Sequence, residues 1–277
     1  MHTALLRLVT GLLTCSVLAA CATSPTGRSQ LMLVSEDMAI SSSAQAYRQE
    51  LGKLQKQGKL SDDAALVRRI NGITEKLVAQ AVIMRPETAD WQWSVAVIDD
   101  PDTVNAWCMA GGRMAIYTGL IDQIDPSDDE IAQIMGHEIA HALANHTAEK
   151  MSMQIASSAG IIAIGIASDN TGAAMAAASA AAIVAVTMPN SRAAETEADR
   201  IGIELAAKAG YDPAAAVTLW QKMGDLPGGQ PPQFLSTHPS PESREQELAA
   251  LGPQMEPWYR ADTPRPTQPV QTVSSLN

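Results

Sequence analysis

The sequence is poor in aromatic residues and contains no cluster of lysine and arginine. Aromatic residues make up 4% of the 277 residues, with a single Phe, whereas Ala is abundant. Because Ala costs least in a helix and aromatic side chains favour strands, this composition predicts a mostly helical protein. The formal net charge of -11 is spread along the chain. Without a basic patch we expect no nucleic-acid partner.

Cysteine is also scarce. Of the three cysteines, Cys15 and Cys21 lie in or at the end of the first apolar stretch, which leaves Cys108 alone in the rest of the chain. No intramolecular disulfide framework can form from this set. We expect Cys108 to be a small, buried apolar residue, with pairing to another chain as the alternative.

The first 20 residues predict a leader. An uncharged apolar run follows Arg7, and it has the length of a signal-peptide core but is short for a membrane span. The run ends in Leu18-Ala19-Ala20-Cys21, which resembles the bacterial lipobox. We therefore predict a lipoprotein signal peptide over 1–20 and lipid attachment at Cys21, with an ordinary signal peptide as the alternative.

Residues 21–30 are small and polar, and they predict a tether between the lipid and the domain. Ala22 stands where an aspartate would resemble an inner-membrane retention signal. The expected location is therefore the periplasmic face of the outer membrane rather than of the inner membrane.

Caps, breakers and apolar spacing predict an α+β domain over 31–252, mostly helical and with a small sheet. A disordered tail is expected over 253–277, because Pro, Thr, Gln and Ser recur there. The predicted helices cover 35–56, 61–84, 128–151, 192–209 and 242–251, with one more beginning at Asp212-Pro213. The predicted strands cover 91–98, 106–109 and 113–118.

Residues 155–188 form two Ala- and Gly-rich apolar runs that are separated by a polar break. The first run is short for a membrane span, so we predict a packed helical hairpin, with membrane insertion as the alternative.

The clearest motif is His137-Glu138-Ile139-Ala140-His141, which fits the pattern H-E-x-x-H. Four residues turn a helix through about 400°, so His137 and His141 point the same way and can share one Zn²⁺ ion. Glu138 lies next to them and can reach a zinc-bound water without binding the metal. We predict that Glu138 is the base that takes the proton from this water and passes it to the leaving amine.

A third protein ligand is required, and His146 is the nearest candidate. It follows His137 by nine residues, which places it on the opposite side of a continuous helix. Ala144 stands where a metzincin has the glycine that turns the chain back. We therefore expect His146 to be a helix-end histidine and not a ligand.

Glu195 and Asp199 are better placed for the metal, because they are four residues apart and share one helix face. Glu195 can complete a site of two histidines and one glutamate. Asp199 can accept a hydrogen bond from the far nitrogen of a ligand histidine and fix its tautomer. Glu197 points elsewhere on the same helix.

With these residues the chain resembles the M48 peptidases, in particular their periplasmic lipoprotein branch, over most of the sequence after Cys21. The segments that carry the resemblance, in order along the chain, are Thr26–Leu31, Asn105–Trp107, Gly111–Gly112, Tyr117–Leu120, the H-E-x-x-H helix, Ser191–Asp199 and Ser236–Pro239. In that family the glutamate that opens E-x-x-x-D is the third zinc ligand, which implies Glu195 and one zinc ion per chain.

The family also implies an edge strand beside the catalytic helix, onto which an extended substrate adds as another strand. In this sequence the expected strand consists of Gly112, Arg113, Met114, Ala115, Ile116 and Tyr117. Ala110 is a departure, because relatives often have a proline before the paired glycines.

Two further residues acquire expected roles from the resemblance. His238 can donate to the oxyanion of the tetrahedral intermediate, or it can bind zinc and hold the enzyme shut, and the sequence leaves both open. Arg244 is expected to stabilise the same negative charge.

The function that the resemblance implies is hydrolysis of peptide bonds in misfolded or unassembled envelope proteins, in contact with the outer-membrane assembly machinery. One alternative is a chaperone or assembly factor for outer-membrane proteins that rarely cuts. A second alternative is a structural lipoprotein in which zinc only holds helices together. Glu138 argues against the second, because a structural site needs no base.

Overall fold

The computed structural model describes residues 21–167, 172, 188–226, 233–238 and 244–276. These residues form a mostly helical α+β structure, which confirms the predicted fold class. In chain order the elements are β1 (Cys21–Thr23), β2 (Ser29–Leu31), α1 (Glu36–Lys56), α2 (Ala64–Met84), a 3-10 turn (Pro86–Asp90), β3 (Ser94–Ile98), β4 (Ala106–Met109), β5 (Arg113–Tyr117), α3 (Thr118–Ile124), α4 (Asp128–Leu143), α5 (His146–Ala167), α6 (Met188–Ala209), α7 (Ala215–Gly224), α8 (Gln233–Thr237), α9 (Arg244–Tyr259) and β6 (Gln271–Thr272).

The larger sheet has the strand order β4-β5-β3-β6. β3 and β5 run parallel, with Ser94 beside Arg113, whereas β4 runs antiparallel to β5, with Ala106 beside Ile116. β5 therefore has a neighbour on each side. The prediction that residues 112–117 form an edge strand is wrong, because β4 occupies that edge of the sheet.

The two faces of the sheet pack against different helices, because successive side chains of a strand point to opposite faces. Val95 and Val97 belong to the main core, which they share with α2, α4 and α6. Ala96 and Ile98 belong to a smaller cluster with Tyr47 and other residues of α1. The sheet is thus covered by α1 on one side and by the metal-site helices on the other.

Helix α4 begins as predicted and ends earlier than predicted. Ser127 and Glu130 form a reciprocal capping box at its start. Its last residue is Leu143, and Asn145 then adopts a left-handed backbone conformation with φ of 55° before α5 begins at His146. Asn tolerates this conformation better than most residues. The single helix predicted over 128–151 is therefore two helices with a sharp turn between them.

Both ends of the described chain differ from the sequence predictions. Residues 21–31 are not an extended tether, because β1 and β2 pair as an antiparallel hairpin with Cys21 beside Leu31. The tail from 253 is not disordered over 253–276, because α9 continues to Tyr259 and β6 pairs with β3. Pro and polar residues favour disorder only when no neighbouring surface binds their backbone.

Two predictions concern segments that lie partly or wholly outside the described residues. The predicted signal peptide over 1–20 lies outside the described residues, as does most of the predicted hairpin over 155–188. Within the part of the chain that is described, no helix combines the length and apolar character that crossing a membrane requires.

Candidate metal centre

Four side chains from three helical segments converge beside α4. His137 and His141 lie one turn apart on α4, Glu195 lies on α6, and His238 directly follows α8. Each offers a nitrogen or oxygen atom that lies within 4.8 Å of the corresponding atom of the other three. The structure thus brings the three predicted ligands together and adds His238 to them.

The distances within this cluster fit a tetrahedral zinc ion. With zinc–ligand bonds of about 2.0–2.1 Å, two ligand atoms of a tetrahedral site lie about 3.3 Å apart. The Nε2 atom of His137 lies 3.0 Å from Nε2 of His141, 3.3 Å from Oε2 of Glu195 and 3.3 Å from Nδ1 of His238. Oε1 of Glu195 lies 3.6 Å from Nε2 of His141. Three imidazoles and one carboxylate are also the donors that Zn²⁺ prefers.

The electrostatics of the cluster favour a cation. Burial lowers the pKa of His137, but hydrogen bonds with Asp199 and Glu195 raise it to about 9. Burial raises the pKa of Glu195, but its contacts with His137 and His238 lower it well below the usual range. Two carboxylates that favour a proton on His137 also favour a metal cation in the same place.

Asp199 and Arg244 hold the ring of His137 from behind. Oδ1 of Asp199 lies 2.9 Å from Nδ1 of His137, which leaves Nε2 free to face the cluster. Arg244 donates from Nη2 to Asp199, and its guanidinium lies 3.8 Å from the centre of the Trp220 ring. The structure therefore places Asp199 where the sequence predicts a partner for a ligand histidine.

Nη1 of Arg244 points toward the cluster. It lies 3.5 Å from Oε2 of Glu195 and has no hydrogen-bond partner among the described residues. A buried donor of this kind can stabilise a negative charge that develops on the substrate, and the role of Arg244 at the oxyanion stays a prediction.

Glu138 lies between the metal cluster and the sheet. Its side chain is buried, and burial raises the pKa of its carboxyl group, while His238 and His137 oppose the shift. Oε1 of Glu138 makes no hydrogen bond within the described chain, although Nε2 of His238 lies 3.3 Å away. A raised pKa and an unpaired oxygen are the properties that a general base requires.

Among the described residues no strand pairs with the outer edge of β4, and Glu138 lies beside this edge. The carbonyl oxygens of Asn105 and Met109 accept hydrogen bonds from the β5 side, from Tyr117 and Gly112. Because the groups of a strand alternate in direction, the backbone of Ala106 and of Cys108 points outward at the edge. A hydrogen bond from the Cys108 backbone lowers the pKa of Glu138, which opposes the effect of burial.

The environment of His141 could not be predicted from the sequence. Because the chain turns at Asn145, His146 folds back, and its Nδ1 lies 2.8 Å from Nδ1 of His141. Nε2 of His146 lies 3.1 Å from Glu197, which is buried. Neither residue joins the metal cluster, as predicted, but the sequence offered no signal of their contact. Burial, together with His137 and His146, lowers the pKa of His141, which favours the neutral ring that binds metals.

Cys108 is buried, as predicted, and its thiol is free among the described residues. Burial raises the pKa of its thiol. The thiol is therefore protonated at neutral pH and unsuited to nucleophilic chemistry.

A helix with H-E-x-x-H that packs against a second helix with a carboxylate ligand defines a zinc metallopeptidase. The chain belongs to peptidase family M48, whose family model matches residues 65–251. This confirms the family, the enzyme class and the cofactor that the sequence predicts.

Three curated relatives illustrate the similarity. The mitochondrial metalloendopeptidase OMA1 of Arabidopsis thaliana is 38% identical over 161 residues, which cover 57% of this chain and 31% of the relative. OMA1 of Schizosaccharomyces pombe is 34% identical over 62% of this chain and 50% of the relative. The beta-barrel assembly-enhancing protease of Escherichia coli is 30% identical over 211 residues, or 72% of this chain and 41% of the relative. The chain thus spans between 31% and 50% of the length of these relatives.

Proposed function

We propose that this protein is a zinc-dependent endopeptidase that cleaves misfolded or unassembled proteins of the bacterial envelope. The observation that carries the proposal is the cluster of His137, His141 and Glu195 with the unpaired Oε1 of Glu138 beside it. The relatives are a metalloendopeptidase and a beta-barrel assembly-enhancing protease, which supports the activity and the envelope substrates. The lipobox-like sequence at Cys21 supports a periplasmic lipoprotein, anchored more readily in the outer than in the inner membrane.

The side chains divide the chemistry between them. A zinc ion held by His137, His141 and Glu195 would polarise the scissile carbonyl and make an adjacent water more acidic. Glu138 takes the proton of the attacking water and passes it to the leaving amine. Asp199 keeps His137 in the tautomer that presents Nε2 to the metal. Arg244 offers Nη1 to the charge that develops on the substrate oxygen.

The substrate would bind as an added strand along β4. The outward carbonyl oxygens of Ala106 and Cys108 can accept hydrogen bonds from an extended peptide, whereas the Ala106 N–H already donates to Oδ1 of Asn105 and the Cys108 backbone donates to Glu138. This pairing would place carbonyls of the peptide beside Glu138. We assign substrate binding to β4 and not to the predicted strand over 112–117, because β5 is paired on both sides. A peptide bound by its backbone needs to be locally unfolded, which agrees with misfolded proteins as substrates.

The described conformation has the features of a closed enzyme. His238 completes the cluster through Nδ1, while its Nε2 faces Glu138. The Phe234 backbone N–H donates to the Val104 carbonyl at 3.1 Å, just before β4. The segment over 233–238 thus lies across both the metal cluster and the start of the substrate edge. Of the two roles open for His238, these contacts favour the plug.

A second candidate function is favoured by the same observation. A closed site on a relative of an assembly-enhancing protease suits a chaperone or assembly factor that contacts the outer-membrane assembly machinery and rarely cuts. In that case Glu138→Gln would leave the cellular role intact.

Casein cleavage by the purified protein tests the proposal, with bound zinc measured in each sample. The wild type should cut and hold about one zinc per chain, as an M48 site requires. Glu138→Gln should hold the same zinc and cut at least ~100-fold more slowly, because the base is lost. Glu87→Gln, which changes an exposed glutamate, should behave as the wild type.

The outcomes separate the hypotheses. If wild type and Glu138→Gln both hold zinc and neither cuts, the endopeptidase is latent or absent, and the chaperone function gains support. If neither holds metal under zinc-replete conditions, the proposed metal site is wrong.

A further inference from the structure

The hairpin over residues 21–31 is bound to α5 and to α6, the helix that carries Glu195. Arg28 donates from Nη1 and Nη2 to the two carboxylate oxygens of Glu149, at 2.7 and 2.6 Å, and from Nε to Oε2 of Glu197 at 2.8 Å. One guanidinium therefore joins α5 to α6. Both carboxylates are buried, so each needs the charge of Arg28.

Other groups of the hairpin complete the attachment. The hydroxyls of Ser24 and Thr26 donate to Oε1 of Glu197. Gln30 donates to Glu149 at 2.8 Å and to the Ala144 carbonyl, just after α4, at 2.7 Å. The hairpin can turn sharply enough to present these groups because Gly27 adopts φ of 89°, which glycine accommodates without strain.

From Glu197 the contacts lead directly to a metal ligand. If Nε2 of His141 faces the metal, Nδ1 of His141 carries the hydrogen and donates to Nδ1 of His146. His146 then carries its own hydrogen on Nε2 and donates to Glu197. Each donor in this series of hydrogen bonds meets an acceptor, so one tautomer of each histidine ring satisfies all the contacts. The arrangement parallels the one at His137, where Asp199 and Arg244 fix the ring.

We propose that the hairpin over residues 21–31 is a positioning element of the metal site, and that Arg28, Ser24 and Thr26 act through Glu197 and His146 to orient His141. This inference rests on the metal site of the proposed function. Outer partners of ligand histidines hold the ring in place, and their loss typically costs about 10- to 100-fold in metal affinity or activity. Arg28 and the two hydroxyls touch neither metal nor substrate, so they are not catalytic residues.

The hairpin begins at the residue that is predicted to carry the lipid. β1 begins at Cys21, the predicted site of lipid attachment, and the first contact with Glu197 comes three residues later, at Ser24. A pull on the lipid anchor would therefore act on the hairpin, whose strands pair from Cys21 onward, and through Ser24 on the partners of His141. The metal site is built so that a displaced hairpin weakens it.

Zinc release and the spectrum of the Co²⁺-substituted protein test the proposal. One variant is Ser24→Ala with Thr26→Val, which removes both hydroxyls from Glu197 and keeps both ion pairs of Arg28, so the hairpin remains attached. The other is Arg28→Lys, which keeps the charge and loses the planar fork that spans two carboxylates. Arg85→Lys is the control, since Arg85 is similarly buried, binds Glu36 and the Leu143 carbonyl, and donates to none of Glu197, His146 and His141.

We expect both hairpin variants to release zinc to a chelator at least ~10-fold faster than wild type and to shift the visible Co²⁺ bands. Arg85→Lys should lower the thermal midpoint without changing either readout. The inference is overturned if the hairpin variants match the wild type within about twofold, or if Arg85→Lys changes zinc release as much as they do.

A variant that fails to fold is recognised by its circular dichroism, and the other hairpin variant then decides. If the wild type holds no zinc, the proposed metal site fails and this inference fails with it, whereas an unchanged hairpin variant on a zinc-loaded wild type overturns this inference alone.

Discussion

His238 touches the ligand set and the base at the same time. Its Nδ1 lies 3.2 Å from Oε2 of Glu195, and its Nε2 lies 3.3 Å from Oε1 of Glu138. Phe234 packs against both His238 and His137, with ring centroids 4.7 and 6.1 Å apart. A side chain in this position can exclude the attacking water from the metal site and at the same time contact the carboxylate of the base.

Replacement of His238 by alanine should therefore increase casein cleavage. If the closed form accounts for about 90–99% of the molecules, removing the plug raises activity by roughly 10- to 100-fold. Bound zinc, measured in parallel, should stay near one per chain, because three protein ligands suffice for a catalytic site. A fall of about 100-fold or more in cleavage would instead assign His238 to the oxyanion.

The residues that could be predicted from sequence are those that repeat at the period of a helix. His137 with His141, and Glu195 with Asp199, are each four apart, so local geometry alone places them on one face. The partners of His141 could not be predicted, because Arg28 lies 169 residues from Glu197 and His146 lies 51 residues from it. Contacts of this kind depend on tertiary packing, and no local pattern reports them.

At the scale of elements, the crossing of α4 and α6 brings the two metal motifs together. Gly136 on α4 and Gly202 on α6 allow the backbones to touch, since a Cβ on Gly202 would lie 2.7 Å from the His137 nitrogen. Real Cβ atoms do not approach a backbone atom so closely, so the helices would have to separate. The distance from His137 to Glu195 and Asp199 depends on this contact.

Gly202→Ala should therefore damage both the fold and the metal site. We expect a loss of about 1–3 kcal/mol in the free energy of unfolding, measured by urea denaturation, from the overpacked crossing. Zinc release should also become faster, because His137 moves away from Glu195. Gly72→Ala on α2 is the matched control, since a Cβ at Gly72 would meet nothing within 4 Å, and it should be neutral or stabilising by up to about 1 kcal/mol. Equal effects of the two changes would remove the special role of the crossing.

Helices with a clear cap were predicted well, and the breaks between them less well. Ser35 and Ser127 cap α1 and α4 where the sequence indicates a start. The end of α4 was missed because Asn145 stops it by backbone conformation, without a glycine or proline to mark the place. The edge strand was assigned to β5 instead of β4 because the order of strands in a sheet depends on long-range pairing.

At the scale of the whole molecule, both ends of the described chain are fastened to the domain. The hairpin over 21–31 binds α5 and α6, and β6 joins β3 at the opposite edge of the sheet from β4. The substrate edge is therefore the edge that no terminal strand covers within the described residues. The proposed binding of a peptide along β4 requires this edge to be open.

Arg265 is the residue that fastens the C-terminal segment. Its guanidinium donates to the carbonyls of Trp258, Tyr259 and Ala261 near the end of α9 and to the carbonyls of Ala207 and Lys208 near the end of α6. The carbonyls of Trp258, Tyr259 and Lys208 lie in the last turns of their helices, where carbonyls lack partners within the helix. The Ala207 carbonyl also accepts from the Gly210 N–H, and Ala261 lies just beyond α9. One side chain thus caps two helices, one of which carries Glu195 and Asp199.

Arg265→Ala should lower the thermal midpoint, because hydrogen bonds from a charged group contribute about 1.5–3 kcal/mol and each kcal/mol corresponds to roughly 2–4 °C for a chain of this size. Arg260→Ala supplies the comparison, since Arg260 lies in the same segment but is exposed and pairs only with Glu256 one turn away. That change should leave the midpoint nearly unaltered. Scanning calorimetry of both variants distinguishes a fastened segment from a disordered one. If the thermal midpoints of the two variants did not differ, the C-terminal segment would be disordered, as the composition predicts, because a tail that binds nothing cannot stabilise the helices beneath it.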